Sequence, residues 1–220
     1  MPETKPLKLS PSAINLMLEC PRCFWLEKHK VWKRPSGIFP SLPSGMDKVL
    51  KEHFDKFMEK GELPPEIREY GIGNCYKLFN DKAKLEIWRN NRKGIQYKDK
   101  TSGILLMGAV DNILSKGKKL IVLDYKTRGY PLKEDTHEHY QAQMDIYNFL
   151  LRKNGYDTED YTYLLFYYPK EVSETGELIF DTKLIKMKTN AKKGEEYFKE
   201  AIELLEGDCP KKTCEWCEKV

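Results

Sequence analysis

The chain has 220 residues, 40% of them hydrophobic and 12% aromatic, enough to bury the core of one ordinary domain with elaborations. Its charge, 38 basic against 34 acidic residues for a net +4, permits an acidic partner without demanding one. No stretch approaches the ~20 consecutive apolar residues of a membrane span, and "MPETKPLKLS" lacks the apolar centre of a signal peptide, so a soluble cytoplasmic protein with no membrane partner is expected.

In chain order, "SPSAINLMLECPRCFWL" carries a Ser-Pro-Ser start signal and apolar residues near helical spacing. It predicts a helix over about 12–26, bent near Pro21. The Pro/Gly/Ser-rich "KRPSGIFPSLPSG" reads as an irregular loop, and a second helix over about 44–59 places Met46, Val49, Leu50, His53 and Phe57 on one stripe. "GELPPEIREYG" reads as a loop, and "NDKAKLEIWRNNRK" as a short amphipathic helix. From about Tyr97 the pattern turns to strands: "ILLMGAVDNILSKGKKLIVLDYKT" predicts two of them in an antiparallel hairpin about "SKGKK". "HEHYQAQMDIYNFLLRKNGY" is the strongest helical pattern and ends at Asn154-Gly155. Two more strands follow, "DYTYLLFYYPKEV" and "ELIFDTKLIKMK", turning near Thr175-Gly176, and "NAKKGEEYFKEAIELLEG" closes as an amphipathic helix. The expected fold is α/β: a mixed central β-sheet flanked by helices, in a single domain over 1–220.

The second strand of the hairpin ends unusually. Side chains alternate along a strand, so Asp124 and Lys126 share one face while Tyr125 takes the other. If the preceding strand folds back through "SKGKK", Asp111 lies near Asp124, and two carboxylates in one small volume call for a hard cation such as Mg²⁺ or Mn²⁺. Gln143 and Tyr147, four apart on the following helix, project from one face toward the same cleft.

"GAVD", "LIVLDYKT" and "QMDIY", preceded by a helix bearing His53, resemble the RecB-like, CRISPR-associated exonuclease-like branch of the PD-(D/E)XK nuclease superfamily, with a restriction-endonuclease-like core. The resemblance runs from "SPSAINLMLECPRCFW" to the terminal "CEWC". It implies that His53, Asp111, Asp124 and the backbone carbonyl of Tyr125 hold a catalytic metal, that Asp111, Asp124 and Lys126 are catalytic, and that Gln143 and Tyr147 organise substrate. Metal-assisted phosphodiester hydrolysis follows, with Lys126 placing the attacking water and stabilising charge on the phosphoryl oxygens, as a fixed charge or as a general base.

Five of the six cysteines lie near the ends. Cys20/Cys23 and Cys214/Cys217 form two C-x2-C pairs able to share one metal and so to join the N-terminal helix (about 10–30) to the tail (about 207–220). The donors suit structural Zn²⁺ or an iron–sulfur cluster; the resemblance implies [4Fe–4S], with one early cysteine and three late ones. It leaves Cys209 as the alternative to Cys23 for the fourth ligand.

Basic residues cluster at 28–34 around Trp32, at Lys116, Lys118 and Lys119, and at Lys126 and Arg128. With the resemblance they favour DNA, as ends or single strands. The expected activity is a metal-dependent, exonuclease-like deoxyribonuclease in repair, recombination or foreign-DNA processing. Two alternatives stand beside it: a weakly catalytic DNA-binding module within a helicase–nuclease complex, and a metal-stapled scaffold whose Asp/Lys pairs are structural.

Overall fold

A computed structural model describes residues 6–37, 40–73 and 75–220. The start of the chain, residues 1–5, and part of the expected 33–45 loop, residues 38–39, lie outside the described residues. A two-residue strand β1 (Lys8–Leu9) leads into α1 (Pro11–Glu19), capped by the Ser10 side chain. The single bent helix expected here is two helices: Cys20 is extended (φ −155°, ψ 104°), and Pro21, which has no N–H to offer a continuing helix, opens α2 (Pro21–Lys28).

The next helix, α3 (Ser41–Lys60), starts three residues before the expected Ser44. Its buried stripe is Leu50, Phe54 and Met58, an i, i+4, i+8 row, whereas Val49 is 63% exposed, so the expected stripe was rotated. The expected "GELPPEIREYG" loop contains a single helical turn, α4 (Pro65–Arg68). Strand structure begins before Tyr97, with β2 (Tyr76–Leu78), followed by α5 (Lys82–Trp88) under an Asp81 cap and by β3 (Ile95–Lys98).

The segment expected as two strands forms three. β4 (Leu105–Gly108) and β5 (Asn112–Lys116) are interrupted at residues 109–111 and enter different sheets; β6 (Lys119–Thr127) returns antiparallel to β5. Gly117 sits at φ +60° in the two-residue connection, a left-handed conformation that its missing Cβ allows. A 3₁₀ turn (Thr136–Tyr140) then leads into α6 (Gln141–Lys153), which crosses over to β7 (Tyr161–Val172) beside β6 in parallel; β8 (Leu178–Lys188) pairs antiparallel with β7, and α7 (Ala191–Glu206) ends at Gly207.

The strands make two mixed sheets flanked by helices, a β1-β4-β3 sheet and a β2-β5-β6-β7-β8 sheet. The long strand β6 is buried from Leu120 to Tyr125 because α3 covers one face, where Phe54 packs on Tyr125 at 4.6 Å between ring centroids, and α6 covers the other. No helix among the described residues is long and apolar enough to cross a membrane.

Helix α6 is buried nearly all round, polar residues included, so each polar side chain needs a partner. Asp145 accepts from Gln141 Nε2 (2.9 Å) and the Asn190 N–H (2.7 Å), and Asn148 donates to Thr189 (2.7 Å) and the Glu159 carbonyl (3.1 Å). Its packing on α7 is so close that a Cβ on Gly194 would sit 2.4 Å from the Asp145 carbonyl oxygen. Gly194→Ala gains up to about 1 kcal/mol of helix propensity but overpacks a backbone contact at a cost of about 1–3 kcal/mol. Denaturant unfolding is expected to show a net loss, and an equal or raised midpoint would contradict this packing.

Candidate functional site

Extending the β5–β6 register by one residue beyond the Asn112–Leu123 pair sets Asp111 opposite Asp124. Asp111 lies in the turn just before β5, and its Oδ2 accepts the Tyr125 backbone N–H at 2.9 Å, which ties the first acid to the strand that carries the second. Asp124 is 2% exposed and points toward α6, with its Oδ2 against the Lys126 ammonium. Burial raises the Asp124 carboxyl to about 7, against the pull of Lys126 and with the help of nearby Asp111. Burial alone would lower Lys126, but the Asp124 and Asp111 charges outweigh it and hold the ammonium above its ordinary value.

From Lys126 a chain of hydrogen bonds runs back to the turn that carries Asp111. Lys126 Nζ donates to Gln143 Oε1 (3.2 Å), Gln143 Nε2 donates to the Tyr147 oxygen (2.7 Å), and Tyr147 donates to the Ala109 carbonyl (2.6 Å). The Tyr147 ring fits only because residue 108 is glycine: a Cβ there would lie 2.7 Å from it. The structure thus brings Asp111, Asp124, Lys126, Gln143 and Tyr147 together.

His53 is placed differently. Its Nε2 lies 2.9 Å from Glu66 Oε1, which also accepts from the Tyr167 hydroxyl at 2.9 Å. Tyr167 shares the sheet face of Tyr125, so this trio sits across the sheet from Asp124 and Lys126. Four other contributors had no signal in the sequence pattern. Lys51 on α3 reaches Asp111 Oδ1 (3.2 Å), Arg89 donates to the Asp111 carbonyl (2.7 Å) while gripping Asp55 (2.8 Å), the Tyr140 ring lies 4.6 Å from Lys126 Nζ, and Glu66 takes His53. An ion pair across distant elements leaves no periodicity to read. Only the i, i+4 spacing of Asp47 and Lys51 hints that this lysine is held in place.

The family model of the PD-(D/E)XK nuclease superfamily matches residues 42–219, which include every member of this acid–lysine site. The chain belongs to the PD-(D/E)XK nuclease superfamily. A solved crystal structure, that of SSO0001, is similar with a TM-score of 0.47 and 14% identity, over 95% of this chain and 81% of that one. No curated protein matches. Membership makes the protein a nuclease-type phosphodiesterase that binds DNA and uses a divalent metal. The residues present fit such an ion: two adjoining carboxylates at the ends of paired strands are hard oxygen donors of the kind Mg²⁺ and Mn²⁺ take.

The nuclease carries a second candidate metal site. Cys20, Cys23, Cys214 and Cys217 bring their sulfurs within 4.8 Å of one another, with close pairs at 3.8 Å (Cys20–Cys217), 3.5 Å (Cys23–Cys214) and 3.8 Å (Cys214–Cys217). Cys209 stands outside this group, its sulfur 3.4 Å from Arg22 Nη1, so Cys23 is the fourth member. Four thiolates on one tetrahedral ion, at metal–sulfur bonds of about 2.3 Å, are spaced about 3.8 Å apart. A [4Fe–4S] cube bonds each thiolate to a different iron and spreads them wider. The spacing is that of four thiolates able to share one metal centre.

Burial lifts the Cys23 thiol to about 12, whereas backbone N–H groups at Trp216 and Cys217 overcome burial and draw Cys214 down to about 6. Trp25 and Trp32 pack against the cluster, and Arg34 pairs with Glu19 (2.8 Å) and lies 3.6 Å from Cys214 Sγ. The basic stretch at 28–34 is thus partly absorbed by the cysteine site. Lys116 and Lys119 likewise share Glu159, each at 3.6 Å.

The raised Asp124 carboxyl has a pH signature. In the folded protein it keeps its proton up to about pH 7, while in the unfolded chain it loses it near the ordinary 3.8, so its contribution to stability is complete below that value and is lost as pH rises to about 7. In chelator, the stability of the wild type relative to Asp124→Asn is expected to fall by a few kcal/mol between about pH 4 and 7 and to level off above. A flat difference across that window would mean the carboxyl ionises normally.

Proposed function

We propose that this superfamily member is a Mg²⁺- or Mn²⁺-dependent deoxyribonuclease of the RecB-like branch, acting in the cytoplasm as an exonuclease on DNA ends or single strands. The observation that carries the reading is the convergence of Asp111, Asp124 and Lys126 at the adjoining ends of β5 and β6, with Gln143 and Tyr147 facing them from α6.

Asp111, Asp124 and the Tyr125 carbonyl would hold the ion, and His53 would join them only by exchanging Glu66 for it. When bound, the ion polarises the scissile phosphate and makes a neighbouring water more acidic. Lys126 keeps its charge beside the phosphoryl oxygens, where negative charge gathers in the transition state. Gln143 fixes the ammonium's direction, and Tyr147 anchors Gln143 to the Ala109 carbonyl, so helix and strand hold the lysine from both ends. Repair, recombination or foreign-DNA processing is the setting we assign.

One observation favours the alternative of a weakly catalytic DNA-binding module in a helicase–nuclease complex: each acid already has a lysine partner. Labelled single- and double-stranded DNA with Mg²⁺ or Mn²⁺ separates the readings. Cleavage is expected from the wild type, with a loss of at least 100-fold in Asp124→Ala and Lys126→Ala while binding persists. Binding without cleavage by the wild type would select the module, and neither would leave only a scaffold.

For the cysteine site we propose one structural Zn²⁺. Purified protein is expected to hold one zinc per chain, lost in Cys23→Ser with a lowered melting temperature and kept in Cys209→Ser. Four irons with acid-labile sulfide would sink this assignment.

A further inference from the structure

Lys51 is the feature of the acid site that the nuclease reading leaves unexplained. It lies on α3 beside the buried stripe Leu50, Phe54 and Met58, which fixes the helix against the sheet and aims the lysine at the start of β5. Its ammonium is 3.2 Å from Asp111 Oδ1 and 2.8 Å from Asp47, one helical turn earlier. The other Asp111 oxygen takes the Tyr125 N–H, so both oxygens of this carboxylate are engaged. Across the site, Lys51 lies between Asp47 and Asp111 and Lys126 lies against Asp124, three acids around two ammoniums.

That balance constrains any incoming cation. A divalent ion shared by Asp111 and Asp124 with both ammoniums in place would leave one surplus positive charge and set the Lys51 ammonium against the ion at Asp111, in a site mostly removed from water where like charges repel far more strongly than in solution. Lys126 has no nearby acid other than this pair to move to, and Gln143 and the Tyr140 ring hold it. Lys51 does have one. Asp47 already shares its ammonium, so a small swing on the flexible lysine stem would free Asp111 without leaving the charge unpaired.

We propose that Lys51 is a built-in competitor for the catalytic ion: it occupies Asp111 in the metal-free protein, and a divalent cation enters by displacing its ammonium onto Asp47. This rests on the acid pair being the metal site of a nuclease. Lys51 is a positioning residue in this scheme, since it acts through Asp111 and touches neither phosphate nor water. Its effect is to keep metal affinity low and to make metal occupancy sensitive to the divalent-ion concentration.

The test is direct Mn²⁺ binding, by calorimetry or by the loss of free-ion paramagnetic signal, on the full chain without DNA. Lys51→Met is expected to bind Mn²⁺ at least tenfold more tightly than wild type. Asp47→Asn, which removes the alternative berth and leaves the ammonium on Asp111, is expected to bind several-fold more weakly. A purely structural role for the Asp47–Lys51–Asp111 bridge predicts weaker binding in both variants, and that result, or unchanged affinity in Lys51→Met, would overturn the proposal. If the wild type binds Mn²⁺ and cleaves DNA while Lys51→Met is unchanged, the competitor role alone fails. If neither protein binds Mn²⁺, the nuclease reading fails with it.

Discussion

A carboxylate inside an apolar sheet is expensive, and much of the architecture around Asp124 answers that expense. Strand β6 is buried by helices on both faces, so the charge cannot reach water and must find partners within the fold. Lys126 supplies the counter-charge from the same face of the same strand. Gln143 and Tyr147 supply the frame from the crossover helix. The hairpin supplies a second acid, whose own charge is met by Lys51 and whose backbone is clamped by Arg89. The ends of β5 and β6, α3, α5 and α6 therefore all converge on one small volume. Chemistry and stability pull in opposite directions there, since removing either charge of a buried pair leaves the other uncompensated.

The parts of this arrangement that follow local periodicity were legible in the sequence. Alternation along "LIVLDYKT" put Asp124 and Lys126 on one face, the turn residues of "SKGKK" gave the hairpin, and a four-residue helical spacing paired Gln143 with Tyr147. What escaped depends on contacts between distant segments. "ILLMGAVDNIL" reads as one strand, and only Gly108 and the polar Asp111-Asn112 pair mark the break at residues 109–111 where the chain leaves one sheet for the other. That break is the point at which Asp111 is presented. β2 and α4 are too short to show a period. The resemblance set His53 beside the acids, whereas its Nε2 meets Glu66 and the same helix presents Lys51 to Asp111.

The cysteine site was legible as two C-x2-C pairs, but not in its spacing. The break at Cys20, where an extended residue precedes Pro21, turns α2 so that Cys20 and Cys23 both meet the tail. Arg22 holds Cys209 aside, with further bonds to the Pro210 carbonyl (3.0 Å) and the Val220 carbonyl (3.0 Å). Which four of the five terminal cysteines gather into one group is a tertiary outcome, invisible in a string of residue types.

The pairing of Cys20 with Cys217 joins positions 197 residues apart. During synthesis, the early half of this tetrad waits while both sheets and all later helices emerge from the ribosome, and the ion can bind all four sulfurs only after Cys217 is exposed. A metal held by all four sulfurs would therefore load late, after the segment from Cys20 to Cys217 has been made and folded back on its start.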